Sequence, residues 1–239
     1  MTDLKTEIVE AHGGRVRWQR HDKLGADLVQ GGLLWSIKGQ AGVLDRTRVT
    51  VDLKTVRASH HPFGSSERRS VFEPDRVAIL SSDGATGEEL LAPRNSFAGH
   101  LLETPWSELQ LAYFAGCAMW TYLNTPFLLD LPGVHSEEIG VWSEAGENWR
   151  RLQVTFPDGF ATHSKVQTLY VDADGLLKRH DYDVEIAGNT PGAHYIADYV
   201  EVDGIAIPTK RRIFPRQPDG QKLDEPLVVS IDLSAIAFG

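Results

Sequence analysis

A chain of 239 residues, 41% of them hydrophobic, is long enough to bury a full core, and all-β chains of this length commonly form one domain, so a single domain over residues 1–239 is expected. The 33 acidic against 24 basic residues leave a formal net charge of -9, which repels phosphate backbones and anionic bilayers and argues against nucleic acid as a partner. A lone Cys117 excludes an intramolecular disulfide and suits a reducing compartment.

Asp3 to Ala11 suits a short helix, with Leu4, Ile8 and Ala11 on one stripe and "HGG" at 12–14 as its stop. The first residues alternate charged and apolar types without a hydrophobic run, so no signal peptide and a cytoplasmic location are expected. "LVQGGLLWSIKG" and "RTRVTVDLKTVRASHH" read as long strands; in the second, Val49, Val51 and Leu53 alternate with Arg48, Thr50 and Asp52. "SVFEPDRVAIL" is a hairpin turning at Glu73–Arg76. "SSDGATGEELLAPRNSFAGH", rich in Gly, Ser and Asn, predicts a long loop placed to act as a lid.

Thr104 as cap, Pro105 at the first helical position and Pro126 as stop predict the main helix over 105–124. Its apolar residues run nearly all the way round, as in a helix lying in the mouth of a curved sheet. The segment "LAYFAGCAMWTYL" is too short to span a bilayer, so no membrane insertion is expected. From Glu138 onward the chain returns to strands, including "KVQTLYVDADGLLKRHDYDV" and "AHYIADYVEVDGIAIPTKRRIF", where Asp203-Gly204 is a two-residue hairpin signal. The fold class is mainly β (α+β): a curved antiparallel sheet of about nine to eleven strands forming a half-open β-barrel, with the main helix in its mouth.

Setting Asp172 opposite Leu176 sorts the first C-terminal hairpin into two faces. Lys165, Gln167 and His163 then pair with Asp183, Asp181 and Glu185 toward solvent, while Val166, Thr168 and Tyr170 lie opposite Tyr182, His180 and Lys178. A slip of one residue would mix the sets. Setting Val202 opposite Ile205 sorts the second hairpin, and its more aliphatic face carries His194, Asp198 and Arg211 inward, where they need partners.

The two inner faces give a constellation of Tyr170, His180, Tyr182, His194, Asp198 and Arg211. A neutral imidazole beside a carboxylate or phenol can move a proton near neutral pH. His180 and His194 are thus the candidates for proton transfer, with Tyr182 and Asp198 as catalytic partners. Tyr170 and Arg211, together with Trp106, Tyr113 and Trp120 from the helix, are the candidates for holding a substrate. Taken singly, each is as readily a satisfied core group, and Asp198 with Arg211 reads as a cross-strand ion pair. His60-His61 is a poor metal pair because neighbours on a strand point to opposite sides. No phosphate-binding loop, nucleophile elbow, zinc-binding helix motif or dinucleotide fingerprint occurs, so neither cofactor nor metal is expected.

The short N-terminal helix ending in "HGG", the meandering strands, the single apolar helix and the hairpins "YVDADGLLKRHDYDV" and "YVEVDGIAIPTKRRI" together resemble the lipoprotein-carrier fold, a group containing the LolA and LppX-like carriers and the violacein-pathway enzyme VioE. The resemblance implies an open half-barrel enclosing a hydrophobic ligand. The expected function is a cofactor-free acid-base enzyme, of isomerase, cyclase, lyase or hydratase type, acting on a small hydrophobic or aromatic molecule. The alternative is a non-catalytic carrier or sensor of a lipid-like ligand, and a homodimer is an allowed assembly for either. An interaction module holding a peptide is the third reading.

Overall fold

Asp3 accepts a hydrogen bond from the Thr6 amide at 2.9 Å and so caps α1 (Leu4–Ala11), as the sequence predicts. The computed structural model describes residues 3–81 and 83–239. After α1 come the one-turn α2 (Arg15–Trp18), β1 (Lys23–Gly31), the short α3 (Leu33–Ile37), β2 (Arg46–Asp52), β3 (Ala58–His61), β4 (Arg68–Glu73), β5 (Arg76–Ser81) and β6 (Thr86–Leu91). The main helix α4 (Glu108–Asn124) leads to β7 (His135–Glu144), β8 (Glu147–Thr155), β9 (Val166–Val171), β10 (Leu177–Val184), β11 (Thr190–Val202), β12 (Ile205–Pro215) and β13 (Val229–Phe238).

Among the described residues these 13 strands form one antiparallel sheet in the order β6-β5-β4-β3-β2-β1-β13-β12-β11-β10-β9-β8-β7. The first six strands meander outward from β1, α4 crosses the sheet, and the remaining strands meander back until β13 docks beside β1, with Leu28 opposite Leu233. The edges β6 and β7 do not meet, so the curved sheet stays half open. Its inner face carries α4 over β2–β6 and, beyond it, α1 with the 3-10 turn Phe127–Asp130 over β8–β11. Strict alternation in β2 buries Thr47, Val49 and Val51 and leaves Arg46, Arg48 and Thr50 outside.

Four local expectations are corrected. The strand expected over residues 28–39 breaks at Gly32, whose φ of 109° only glycine adopts easily, and continues as α3. The stretch 46–61 folds back on itself as β2 and β3. The loop expected over 81–100 contains β6 and a 3-10 turn at Pro93–Phe97, and this ordered secondary structure replaces the predicted lid. The cap of α4 is Ser107 rather than Thr104: Ser107 Oγ accepts from the Gln110 amide at 3.2 Å while Gln110 Oε1 accepts from the Ser107 amide at 2.9 Å, a reciprocal box. The hairpin turn at Glu73–Arg76 and the Val202–Ile205 register stand as expected.

Helix α4 is buried nearly all round. Its close approach to β4 is made by Gly116, where a Cβ would lie 2.5 Å from Phe72 Cγ and overlap Phe72 Cβ. Glycine here serves packing at the expense of about 1 kcal/mol of helix propensity.

Candidate functional site

The β9–β10 hairpin begins in the predicted register, with Leu177 opposite Val171. A bulge at Lys178 then advances it by one residue, so that Arg179 lies opposite Tyr170, His180 opposite Leu169 and Asp181 opposite Thr168. This slip rearranges both faces. Gln167, His180 and Tyr182 share the inner face, whereas Tyr170, Arg179 and Asp181 share the outer one. On β11 the register places His194 opposite His180, and on β12 Arg211 lies opposite Ile196. His180, His194, Tyr182 and Arg211 therefore do meet, all buried, on one side of the sheet.

Their geometry sets their protonation. Gln167 Nε2 donates to the Ser164 carbonyl at 2.9 Å and to Thr162 Oγ1 at 2.8 Å, so its Oε1 faces His180 Nε2 at 2.6 Å and that nitrogen carries the imidazole proton. Arg211 Nη1 donates to His194 Nε2 at 3.4 Å, and Arg211 Nη2 donates to the Tyr122 carbonyl at 3.2 Å. Tyr122 reaches down from α4 into the group: its hydroxyl is 2.5 Å from the Tyr182 hydroxyl and 2.9 Å from His163 Nε2. The His163 ring stacks on Tyr182 with centroids 4.3 Å apart.

Burial holds all three histidines neutral. It pushes His163 down to about 3, with Arg94 adding to the shift, and His180 down to about 3, with His163 and Arg211 adding. His194 is lowered by burial and then by Arg211. Both tyrosines are raised by burial. Arg211 is lowered by burial, and among the described residues no carboxylate lies within ion-pair distance of it.

Next to this cluster lies a cavity of about 140 Å³ between α4, α3 and the inner ends of β11–β13. Its wall is almost wholly apolar, with Trp35, Trp106, Phe114, Ala118, Met119 and Ile213 prominent, and the rings of Tyr122 and Tyr182 close one side. The size is close to the roughly 150 Å³ engineered apolar cavity known to accept benzene. One wall is held by Lys38, which is completely buried. Its ammonium donates to the carbonyls of Leu101, Leu102 and Thr104 at 3.1, 2.5 and 3.1 Å and sits 4.5 Å over the Trp106 ring. Burial lowers its pKa to about 8, so the clamp keeps its charge at neutral pH.

No family model and no curated relative matches the chain. Solved structures match in shape. A LolA superfamily protein from Nitrosomonas europaea aligns over 98% of this chain and 93% of that one, with a TM-score of 0.54 at 10% identity. A lipoprotein-sorting protein domain from Vibrio parahaemolyticus aligns over 98% of this chain and 90% of that one, with a TM-score of 0.52 at 11% identity. The fold is LolA-like.

Within the LolA-like sheet the predicted site residues divide. Trp106, Tyr182 and the unpredicted Tyr122 line the cavity, while His180, His194 and Arg211 stand directly behind the two tyrosines. Asp198 is misplaced by the prediction: a φ of 57° turns its side chain out to solvent, where it pairs with Lys210 at 2.5 Å instead of Arg211. Tyr170 belongs to the outer face, donating to Asp181 at 2.8 Å. Tyr113 packs toward Arg94 and Phe97, and Trp120 donates to the carbonyls of Asp52 and Thr55, so neither reaches the cavity. His163, Gln167 and Asp181, expected at solvent, are buried.

The outer face carries its own buried group, which the sequence reading missed. Arg179 is fully buried and donates to Asp181 at 2.6 and 2.8 Å, to Glu144 at 2.9 Å, to Tyr195 at 3.2 Å and to the Gly220 carbonyl at 2.5 Å. Its charge and donors are satisfied, which marks a structural lock on the β7–β10–β11 region. Among the described residues no His, Cys, Asp and Glu group has the arrangement of a metal site, and no helix is long and apolar enough to cross a membrane.

Proposed function

We propose that the chain binds and carries one small, largely apolar molecule in the cavity between α4 and the inner face of the sheet. The apolar cavity carries this reading, since a space of this kind gains its binding energy from removing hydrocarbon from water. The similarity in fold to a lipoprotein-sorting domain supports a carrier over an enzyme. The volume favours a guest about the size of one aromatic ring over a bundle of acyl chains.

Proton transfer by His180 and His194 fits the geometry less well. Both imidazoles stand behind the tyrosine rings rather than in the cavity wall, and both are held neutral far below physiological pH.

Two measurements test the carrier reading. Mass spectrometry of solvent extracts from the purified protein is expected to show a co-purifying small apolar molecule. Toluene is expected to change the fluorescence of the cavity tryptophans Trp35 and Trp106 saturably. A protein that yields no extractable guest and shows no saturable response to toluene is not such a carrier.

A further inference from the structure

We infer that the guest carries a carboxylate, received at the Tyr122–Tyr182 side of the cavity and balanced by Arg211, so that the ligand class is a small monocarboxylic acid with a hydrocarbon part about the size of one ring. This rests on the carrier reading and adds the chemistry of the polar end.

Three observations converge on that end. First, two of the lining side chains, Tyr122 and Tyr182, end in hydroxyls that belong to a chain running from Tyr182 through Tyr122 to His163. Such a chain has one orientation in which His163 donates to Tyr122, Tyr122 donates to Tyr182, and the Tyr182 proton is left to donate onward. An acceptor oxygen on the guest completes it.

Second, the guanidinium of Arg211 lies 5.1 Å from the Tyr122 ring centroid and is 2% exposed. Its hydrogen bonds go to a carbonyl and an imidazole, its Nε has no partner, and the Nδ1 of the adjoining His194 has none either. A buried cation without a counter-charge is strongly unfavourable, and an anion buried one ring away offsets that charge.

Third, the acidic groups on the neighbouring elements are already engaged: Glu185 pairs with Arg94 and Asp183 with Arg216. The tyrosine side of the cavity, backed by Arg211, is therefore free to select a negative guest. An aromatic or short-chain acid matches both the apolar wall and this end, whereas a plain hydrocarbon satisfies only the wall.

Benzoate and toluene separate the two terms, being nearly the same shape with and without the carboxylate. The native protein is expected to bind benzoate at least about tenfold more tightly than toluene, and Tyr182→Phe to lower benzoate affinity by about tenfold while changing toluene affinity by less than about twofold. Tyr122→Phe makes the same test should the first variant fail to fold. Toluene binding without a benzoate preference, or a preference that survives in the Phe variants, overturns the inference and leaves the carrier reading standing. Failure of both compounds to bind overturns both.

Discussion

His180 and His194 stand opposite each other on adjacent strands with ring centroids 5.9 Å apart, and both stay uncharged in the folded protein. The unfolded chain binds a proton on each imidazole once pH falls below about 6.5, whereas folded His163 and His180 do so only near 3 and folded His60 only near 4. Between those limits the unfolded state holds more protons, so stability is lost as pH drops through the window. Each such histidine adds a slope of up to about 1.4 kcal/mol per pH unit. Urea denaturation from pH 7 to pH 4 is expected to show a steep fall, reduced in His180→Gln; a flat profile contradicts the buried neutral cluster.

Filling the cavity separates binding from folding. Ala118 lies in its wall, so the added carbons of Ala118→Leu enter open space rather than packed core. Stability is expected to change by less than about 1.5 kcal/mol, while toluene affinity falls more than about tenfold by fluorescence titration.

Gly116→Ala tests the contact between α4 and β4. Helix propensity favours alanine by about 1 kcal/mol, but the new methyl would overlap Phe72 near its backbone, where nothing flexible can yield. The clash is expected to win, with a net loss of about 1–3 kcal/mol and a thermal midpoint several degrees lower. A variant as stable as the native protein would show that the helix sits farther from the sheet.

Lys38→Met removes the clamp on residues 101–104 while keeping hydrocarbon bulk. Three carbonyls of half-buried or exposed residues lose their shared donor, and the expected cost is about 1–3 kcal/mol. Hydrogen exchange should show faster opening in segment 100–106, because Leu102 and Trp106 are tied to the rest of the fold through this ammonium. Unchanged exchange there would mean that packing alone holds the wall.

Much of the fold was readable because it rests on period-two patterns and turn chemistry. Val49 and Val51 declared the inner face of β2, Asp203-Gly204 fixed a register that holds along the whole of β11 and β12, and that register placed His194 and Arg211 correctly. The β9–β10 hairpin was readable only as far as Leu177, since a bulge at Lys178 leaves no local mark and both registers give mixed faces. Hence His163 and Gln167 were assigned to solvent and Tyr170 to the cavity. Asp198 failed for a different reason: aspartate tolerates positive φ, but an isolated reversal inside a long strand has no turn signal around it. One missed group did have a sign. Arg179 and Asp181, two apart on a strand, necessarily share a face and form the outer lock.

The position of β13, seventh of the 13 strands and hydrogen-bonded to both β1 and β12, bears on how the protein is made. Six strands lie on each side of it, and it is the last of them to be synthesised. Until residues 229–238 emerge, the two halves are separate ribbons, each offering an unsatisfied strand edge at what becomes the middle of the sheet. Joining Leu28 to Leu233 closes a loop of nearly the whole chain, so this step comes late and slowly, and the nascent halves are at their most prone to mispairing just before it.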